Sequence, residues 1–167
     1  NGYGDLDLTG IMRKSSNIGV TKLALGMPHE DLLNMYYQMG LGSETGLGLV
    51  GESAGMLREQ ARWSDFERST LSFGYGLSVT TVQMARMYSA IANGGVVRPL
   101  TLLKTEQPPA GKQVVSEQYA DAMVEMLEQV TEKGGTATKA KVPGYRVGGK
   151  TGTAKKAVAG GYGNDYI

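Results

Sequence analysis

Residues 144–153 read Gly-Tyr-Arg-Val-Gly-Gly-Lys-Thr-Gly-Thr, and this stretch decides between two folds. Its first eight residues fit G-x-x-x-x-G-K-[ST], the phosphate-binding loop that joins a buried strand to a helix. The flanks do not suit such a loop, because a charged segment ending in Pro143 precedes it and Gly152, then Gly160-Gly161, follow where a helix is needed. We therefore interpret the phosphate-loop pattern as a chance match of a short motif.

The second interpretation starts from Lys150-Thr151-Gly152, followed by Thr153, on a glycine-rich strand predicted from Tyr145 to Ala154. Glycine inside a strand often marks a place where a ligand or another backbone comes close. A lysine, two hydroxyls and open backbone N–H groups would bind a carboxylate and a developing oxyanion. Upstream, Ser15-Ser16-Asn17 supplies an S-x-N element at the predicted start of a helix.

Composition narrows the chemistry that this chain can perform. Its 167 residues suffice for one domain with a core, and they include no Cys, a single His and 25 Gly. Disulfides, thiolate nucleophiles and multi-histidine metal sites are thereby excluded, so we expect no metal and no cofactor, and catalysis by hydroxyls, lysines, carboxylates or amides. No apolar run reaches transmembrane length, and the start at Asn1 instead of Met predicts a piece of a longer protein.

The near-neutral total charge hides an uneven distribution. Residues 133–164 carry seven positive charges and no acid, whereas residues 1–132 carry ten positive and fifteen negative charges. Such a basic stretch favours an anionic ligand, and a solvated basic face is the alternative. Nucleic-acid binding is disfavoured, because Tyr145 and Tyr162 are too sparse to form a stacking platform among the lysines.

Apolar periodicity and capping residues predict four helices. They cover Ile18 to Leu25, the stretch from Pro28 to Gly40, the stretch from the Thr80/Gln83 capping box to Gly94-Gly95, and the stretch from Ser116 to Gly134-Gly135. A hairpin is predicted between residues 100–105 and 113–115. The glycine-rich regions 40–55 and 73–76 are predicted to be loops.

Several motifs together resemble one known family. They are Lys14-Ser15-Ser16-Asn17-Ile18-Gly19, Ser72-Phe73-Gly74-Tyr75-Gly76 and Gly149-Lys150-Thr151-Gly152-Thr153-Ala154, in that order. The chain resembles the transpeptidase domain of class B penicillin-binding proteins, most closely the division-specific (septal) transpeptidase of Gram-negative bacteria. The resemblance implies an α+β fold of the penicillin-binding protein and serine β-lactamase type, an antiparallel sheet flanked by helices, with residues 1–167 forming a partial transpeptidase domain.

The resemblance also implies an activity, partners and a location. A serine in an S-x-x-K motif would be acylated by the D-Ala-D-Ala end of a peptidoglycan stem peptide, and the acyl group would pass to an amine of a neighbouring strand. β-Lactam antibiotics would trap the same serine. Other cell-division proteins are implied as partners, and the periplasmic face of the bacterial inner membrane as the location, with an anchor outside this chain.

Roles implied by the resemblance fall on seven residues. Ser15 would relay a proton, Asn17 would bind the substrate amide, and Lys150 would set the positive potential. Thr151, Gly152 and Thr153 would bind the substrate, with the two threonine hydroxyls on its carboxylate and the Thr153 N–H in the oxyanion hole. Tyr75 would wall the cleft. Helix capping is the alternative for Ser15 and Asn17, and an ordinary buried aromatic is the alternative for Tyr75.

One departure from the family pattern limits this interpretation. None of the ten serines has a Lys three residues later, so the S-x-x-K nucleophile is absent. Truncation is the simplest account, and it predicts that the isolated chain forms no covalent adduct with a penicillin. A β-lactamase relative stays open, since Glu30-Asp31-Leu32-Leu33-Asn34 resembles a deacylating E-x-x-L-N element, although it falls in the predicted helix after Pro28. A catalytically silent structural or partner-binding module of the same fold is the other alternative.

Overall fold

The computed structural model describes residues 2–58, 63–158 and 161–166, with side chains as far as residue 154. The described helices are α1 (Leu8–Lys14), α2 (Asn17–Leu25), α3 (His29–Gln38), α4 (Asp65–Ser72), α5 (Thr81–Ala92) and α6 (Glu117–Thr131), with a 3-10 turn at Thr138–Ala140. The described strands are β1 (Met56–Leu57), β2 (Leu77–Ser78), β3 (Val96–Val97), β4 (Lys112–Gln113), β5 (Lys155–Val158) and β6 (Gly161–Tyr166). They form three antiparallel pairs, β1 with β2, β3 with β4 and β5 with β6.

The chain divides into two compact units. The first unit contains Asn1–Ser16 and Met126–Ile167, and the second contains Asn17–Glu125. Helix α1, the end of α6 and the β5–β6 hairpin belong to the first unit. No helix in the described ranges is both long and apolar enough to cross a bilayer.

The helix starts follow local capping chemistry. At α5 the Thr80 hydroxyl accepts from the N–H of Gln83 while the Gln83 side chain accepts from the N–H of Thr80, as the capping-box pattern predicted. Ser64 and Glu67 form the same reciprocal pair at α4. Helix α1 begins after Asp7, whose carboxylate accepts from the N–H of Gly10 at 2.7 Å. Helices α1 and α4 are additions to the four that periodicity predicted.

The four predicted helices are present with shifts of one or two residues at their ends. Helix α2 begins at Asn17, and Pro28 stands just before α3. Gly40 follows α3 with a φ of +88°, the left-handed conformation expected of a helix stop. Helix α6 begins after Ser116 and ends at Thr131, ahead of Gly134-Gly135.

The core of the second unit lies between α5 and the β3–β4 pair. Met39, Ala90 and Val97 are buried there, with the partly buried side chains Met87, Ile91, Val114 and Val115 packed against them. The fully buried side-chain amide of Gln83 donates to the carbonyls of Ser43 and Ala54 at 2.8 and 2.9 Å. A buried amide that caps its own helix and also bonds two loop carbonyls ties the 40–55 loop to α5.

The predicted hairpin was wrong in register. Val96 pairs with Gln113 and Val97 with Lys112, whereas residues 100–105 are outside any strand. Pro99 has no N–H to give to a ladder, and the Thr101 hydroxyl accepts from the N–H of Leu103 at 3.1 Å, which curls the segment. Leu102 and Leu103 are consequently exposed instead of lining a strand face.

The predicted strand from Tyr145 to Ala154 was also wrong, since β5 begins only at Lys155. The segment before it bonds to the end of α6: the N–H of Gly149 donates to the Leu127 carbonyl at 3.2 Å, and the Thr131 hydroxyl donates to the Val147 carbonyl at 2.7 Å. Residues 151–154 are non-helical and lead into a strand, which agrees with the rejection of the phosphate-loop interpretation.

Candidate active site

The first unit presents the Ser15 side chain at the end of α1. The N–H of Ser15 bonds the Met12 carbonyl at 3.1 Å and the N–H of Ser16 bonds the Ile11 carbonyl at 3.0 Å, which is the Schellman arrangement. Ser15 itself has φ 52° and ψ 50°, and it is the single non-glycine residue with positive φ in the described ranges. A left-handed conformation costs such a residue about 1–2 kcal/mol, so the surrounding structure must hold it.

Lys150 meets Ser15 across 135 residues of sequence. The Lys150 ammonium donates to the Ser15 hydroxyl at 2.6 Å and to the Thr151 carbonyl at 3.0 Å. Desolvation of the half-buried side chain lowers the pKa of Lys150 from its ordinary value of 10.5. A lower pKa makes the ammonium a stronger acid, and an ammonium that donates to a hydroxyl can pass a proton through it.

The end of α6 holds the backbone that carries Lys150. Besides the two hydrogen bonds to Val147 and Gly149 described above, Gly148 lies against Leu127, where an added Cβ would come within 3.2 Å of the Leu127 Cβ. A glycine at position 148 thus lets the segment approach the helix closely. The Lys150 side chain is therefore positioned by backbone contacts with α6 as well as by Ser15.

The rest of the Lys-Thr-Gly-Thr motif continues from this point. The Thr151 and Thr136 hydroxyls lie 2.9 Å apart, while Gly152 and Thr153 are exposed. A Cβ added at Gly149 or Gly152 would meet none of the described atoms within 4 Å. None of the described atoms therefore occupies the space beside Gly149 and Gly152, as binding of a ligand along the motif requires.

Two acidic residues, Glu128 in α6 and Glu132 just after its end, reduce the positive field that composition suggested. Arg146 forms a two-bond ion pair with Glu128 at 2.8 and 3.0 Å, and Lys141 pairs with Glu132 at 2.7 Å. Within the described part of the chain, no carboxylate pairs with the Lys150 ammonium. Its charge is thus available to attract an anionic ligand.

Two predicted site residues belong to the second unit. Asn17 is the first residue of α2 and is exposed. Tyr75 stands between Gly74 and Gly76, packs edge-on against Phe73 with ring centres 5.8 Å apart, and contributes to a cavity of about 210 Å³ with Trp63 and Glu67. The substrate roles assigned to Asn17 and Tyr75, like those of Gly152 and Thr153, stay predictions.

The element that resembled a deacylating motif lies on a helix, as expected. Glu30 is in the first turn of α3, its side chain is 63% exposed, and it lies 3.3 Å from the His29 imidazole. A solvent-exposed carboxylate on a helix surface does not activate a water in an enclosed site. The comparison with class A β-lactamases therefore gains no support from Glu30.

The serine–lysine contact beside a Lys-Thr-Gly motif defines the class of the chain. The family model described as penicillin binding protein transpeptidase domain matches residues 1–166, and the chain belongs to that family. The apo structure of the transpeptidase domain of Burkholderia pseudomallei penicillin-binding protein 3 superposes on this chain with a TM-score of 0.94 and 48% identity, over 98% of this chain and 50% of that one. This similarity confirms the expected fold class.

Individual relatives agree with this assignment. The peptidoglycan D,D-transpeptidase FtsI of Escherichia coli strain K12 is 49% identical over 99% of this chain, and the probable peptidoglycan D,D-transpeptidase PenA of Neisseria gonorrhoeae is 43% identical over 96%. Penicillin-binding protein 3 of Mycobacterium tuberculosis, solved with ampicillin, has a TM-score of 0.87 at 38% identity, over 95% of this chain and 39% of that one. The chain spans 28% of the length of the FtsI and PenA relatives.

Proposed function

We propose that this chain is part of a peptidoglycan D,D-transpeptidase that cross-links stem peptides during septal cell-wall synthesis. Membership of the transpeptidase family and the names of its relatives support this activity. The observation that carries the proposal within the chain is the hydrogen bond between Lys150 and Ser15, two motif residues 135 positions apart. The substrates of the proposed transpeptidase are stem peptides ending in D-Ala-D-Ala, and β-lactams compete for the same site.

The proposed reaction uses residues of this chain together with a nucleophilic serine that is not among the ten serines of this chain. A serine in an S-x-x-K motif loses its hydroxyl proton to the lysine of that motif and attacks the carbonyl carbon of D-Ala, and the bond from that carbon to the nitrogen of the leaving D-Ala then breaks. Ser15 donates its hydroxyl proton to that nitrogen and takes a proton from the Lys150 ammonium, which contacts the hydroxyl and is made more acidic by its lowered pKa. The Thr151 and Thr153 hydroxyls bind the terminal carboxylate, and the Thr153 N–H stabilises the oxyanion.

The intact protein acts where peptidoglycan is built. We infer that it works at the periplasmic face of the inner membrane together with other cell-division proteins, as the names of the FtsI relatives and the peptidoglycan substrate suggest. A covalent adduct with a β-lactam would form on the nucleophile, in line with the ampicillin complex of the mycobacterial relative.

Acylation of the intact protein by a fluorescent penicillin tests the proposal. Lys150→Arg keeps the positive charge but cannot lose a proton at accessible pH, so we expect acylation to slow by about 10²–10³-fold. Lys139→Arg is the matched control, since Lys139 is an exposed lysine of the same basic stretch. Wild-type acylation should fall as the pH rises through the lowered pKa of Lys150, because the ammonium is the proton donor, and the Arg variant should lack that fall.

Two results would contradict the proposal. Lys150→Arg could be acylated as fast as the wild type with an unchanged pH profile, which would remove Lys150 from proton transfer. The intact wild-type protein could also fail to react with any penicillin, which would favour the catalytically silent module instead.

A further inference from the structure

Two consecutive cations at the end of α1 hold a turn that lies 120 residues further along the chain. Arg13 donates to the Lys133 carbonyl, and the Lys14 ammonium donates to the Gly134 carbonyl at 2.9 Å. Gly134 has a φ of +89°, and a Cβ there would lie 2.7 Å from the Arg13 guanidinium. We call residues 133–136 the clamped turn, because these contacts fix it against α1.

The clamped turn is rigid on its other side as well. The N–H of Gly135 donates to the Glu132 carbonyl at 2.8 Å, and the N–H of Ala137 donates to the Val130 carbonyl at 2.9 Å. A Cβ at Gly135 would lie 2.1 Å from the Val130 carbonyl oxygen, so the backbone packs directly on the end of α6. Its position is therefore determined by two helices at once.

The clamped turn carries Thr136, whose hydroxyl lies 2.9 Å from the Thr151 hydroxyl. A hydroxyl has one proton to donate and can accept through its lone pairs. If Thr136 donates to Thr151, the proton of Thr151 is left free for an anionic acceptor, and a donor chain of this kind strengthens the second bond. Thr136 is thus placed to orient the Thr151 proton.

We propose that the clamped turn is a positioning element for the carboxylate-binding hydroxyl of Thr151, with Arg13, Lys14 and Thr136 as its positioning residues. The proposal rests on the proposed function, because the carboxylate is that of the transpeptidase substrate or of a β-lactam. The end of α1 then positions both motif residues. Ser15, which follows α1, contacts Lys150, and the clamped turn, which is held by α1, contacts Thr151.

The test separates carboxylate recognition from general reactivity. In the intact protein, the second-order acylation constant is measured for benzylpenicillin and for its methyl ester, and their ratio reports recognition of the carboxylate. Thr136→Val should lower this ratio about five- to tenfold, the effect of one well-oriented hydrogen bond, while the ester constant stays within about twofold. Thermal midpoints are measured alongside to show that each variant is folded.

A second variant tests the effect of a more distant contact on the Thr151 hydroxyl. Lys14→Met keeps the side-chain stem and removes the bond to the Gly134 carbonyl, so the ratio should fall about threefold. The double variant should lose less than the product of the two single effects, because both act through the clamped turn. Thr138→Val and Lys133→Met are the controls, since Thr138 is exposed beyond the turn and the turn uses only the backbone carbonyl of Lys133.

The outcomes distinguish this proposal from the function on which it rests. A wild type that neither compound acylates refutes the transpeptidase function and this proposal with it. A reactive wild type whose ratio is unchanged in both Thr136→Val and Lys14→Met refutes the positioning role alone. An equal loss for acid and ester would show a purely structural turn and would likewise overturn it.

Discussion

Replacing Ser15 by Ala and by Gly should separate stability from activity at one position. Both variants remove the hydroxyl that Lys150 contacts at 2.6 Å, so both should lose proton relay. They differ in the backbone, because Ser15 occupies a left-handed conformation that glycine adopts without strain and alanine does not. We therefore expect two equally inactive proteins of unequal stability.

The magnitudes follow from the local geometry. Loss of a half-buried hydrogen bond from an ammonium costs each variant about 1.5 kcal/mol of unfolding free energy, the lower end for a charged donor. Glycine removes the left-handed strain, which stabilises the folded state by about 1–2 kcal/mol relative to alanine. Glycine also makes the unfolded chain more flexible, which lowers the unfolding free energy by about 0.4–1 kcal/mol. The Gly variant should thus be more stable than the Ala variant by about 0.5–1 kcal/mol.

Urea unfolding and thermal midpoints of the intact protein measure the stability difference, which corresponds to about 2 °C for a domain of this size class. Acylation by a fluorescent penicillin measures the activity, and both variants should react about 10²-fold more slowly than the wild type. The two readouts are independent, because the Gly variant should approach wild-type stability while its reactivity stays as low as that of the Ala variant.

The stability prediction and the activity prediction can be refuted separately. A Gly variant that is no more stable than the Ala variant would mean that residue 15 is not left-handed in the protein. Near wild-type acylation by either variant would mean that the Ser15 hydroxyl does not relay a proton, and its contact with Lys150 would then be structural.

Three further predictions concern stability. Arg68 donates to the carbonyls of Ala24 and Leu25 at the end of α2 and of Met27 just beyond it, at 2.5 to 3.3 Å. Arg68→Met should therefore cost about 2 kcal/mol in urea unfolding, while Arg58→Met, at an exposed position, should cost under about 0.5 kcal/mol. Gly135→Ala should destabilise by more than about 2 kcal/mol, because its Cβ would overlap a backbone carbonyl, whereas Gly149→Ala should be nearly neutral; a small effect at position 135 would contradict the packing described. Glu52 has a pKa lowered from 4.5, mainly by a hydrogen bond from a threonine hydroxyl, so its stabilisation of the 45–52 loop is present at neutral pH and is lost as the pH falls through that lowered value. Carboxyl shifts followed by NMR should titrate below 4.5, and a midpoint at or above 4.5 would exclude this contact.

Local sequence signals predicted the helices better than the strands. The Thr80/Gln83 capping box located α5, and the periodic stretch after Ser116 located α6, because caps and helical periodicity act within about four residues. Ser64 and Glu67 make an equally good box, and applying the same rule there would have found α4. The start of α1 offered only Asp7, a weaker signal for a helix of seven residues.

The strand predictions were wrong because the hydrogen-bond partners of these segments are not visible in the local sequence pattern. Residues 100–105 were predicted to be a strand, but Pro99 and the turn at Thr101 move the pairing to Val96-Val97. The glycine-rich segment before Lys150 looked extended on its own, yet its N–H and carbonyl groups bond to α6 instead of to a strand. Ladder partners are chosen by tertiary packing, which sequence alone does not display.

By itself the sequence determined the residue types of the candidate site, the family that they resemble and the positions of four helices along the chain. Only the tertiary structure decided that Lys150 lies 2.6 Å from Ser15, that Ser15 is left-handed, and that Thr136 stands beside Thr151. It also assigned Glu128 to Arg146 and thereby left Lys150 as a cation without a carboxylate partner among the described residues. The physical reason is range: capping and periodicity act between near neighbours in the chain, whereas these contacts join residues that lie 15 to 135 positions apart.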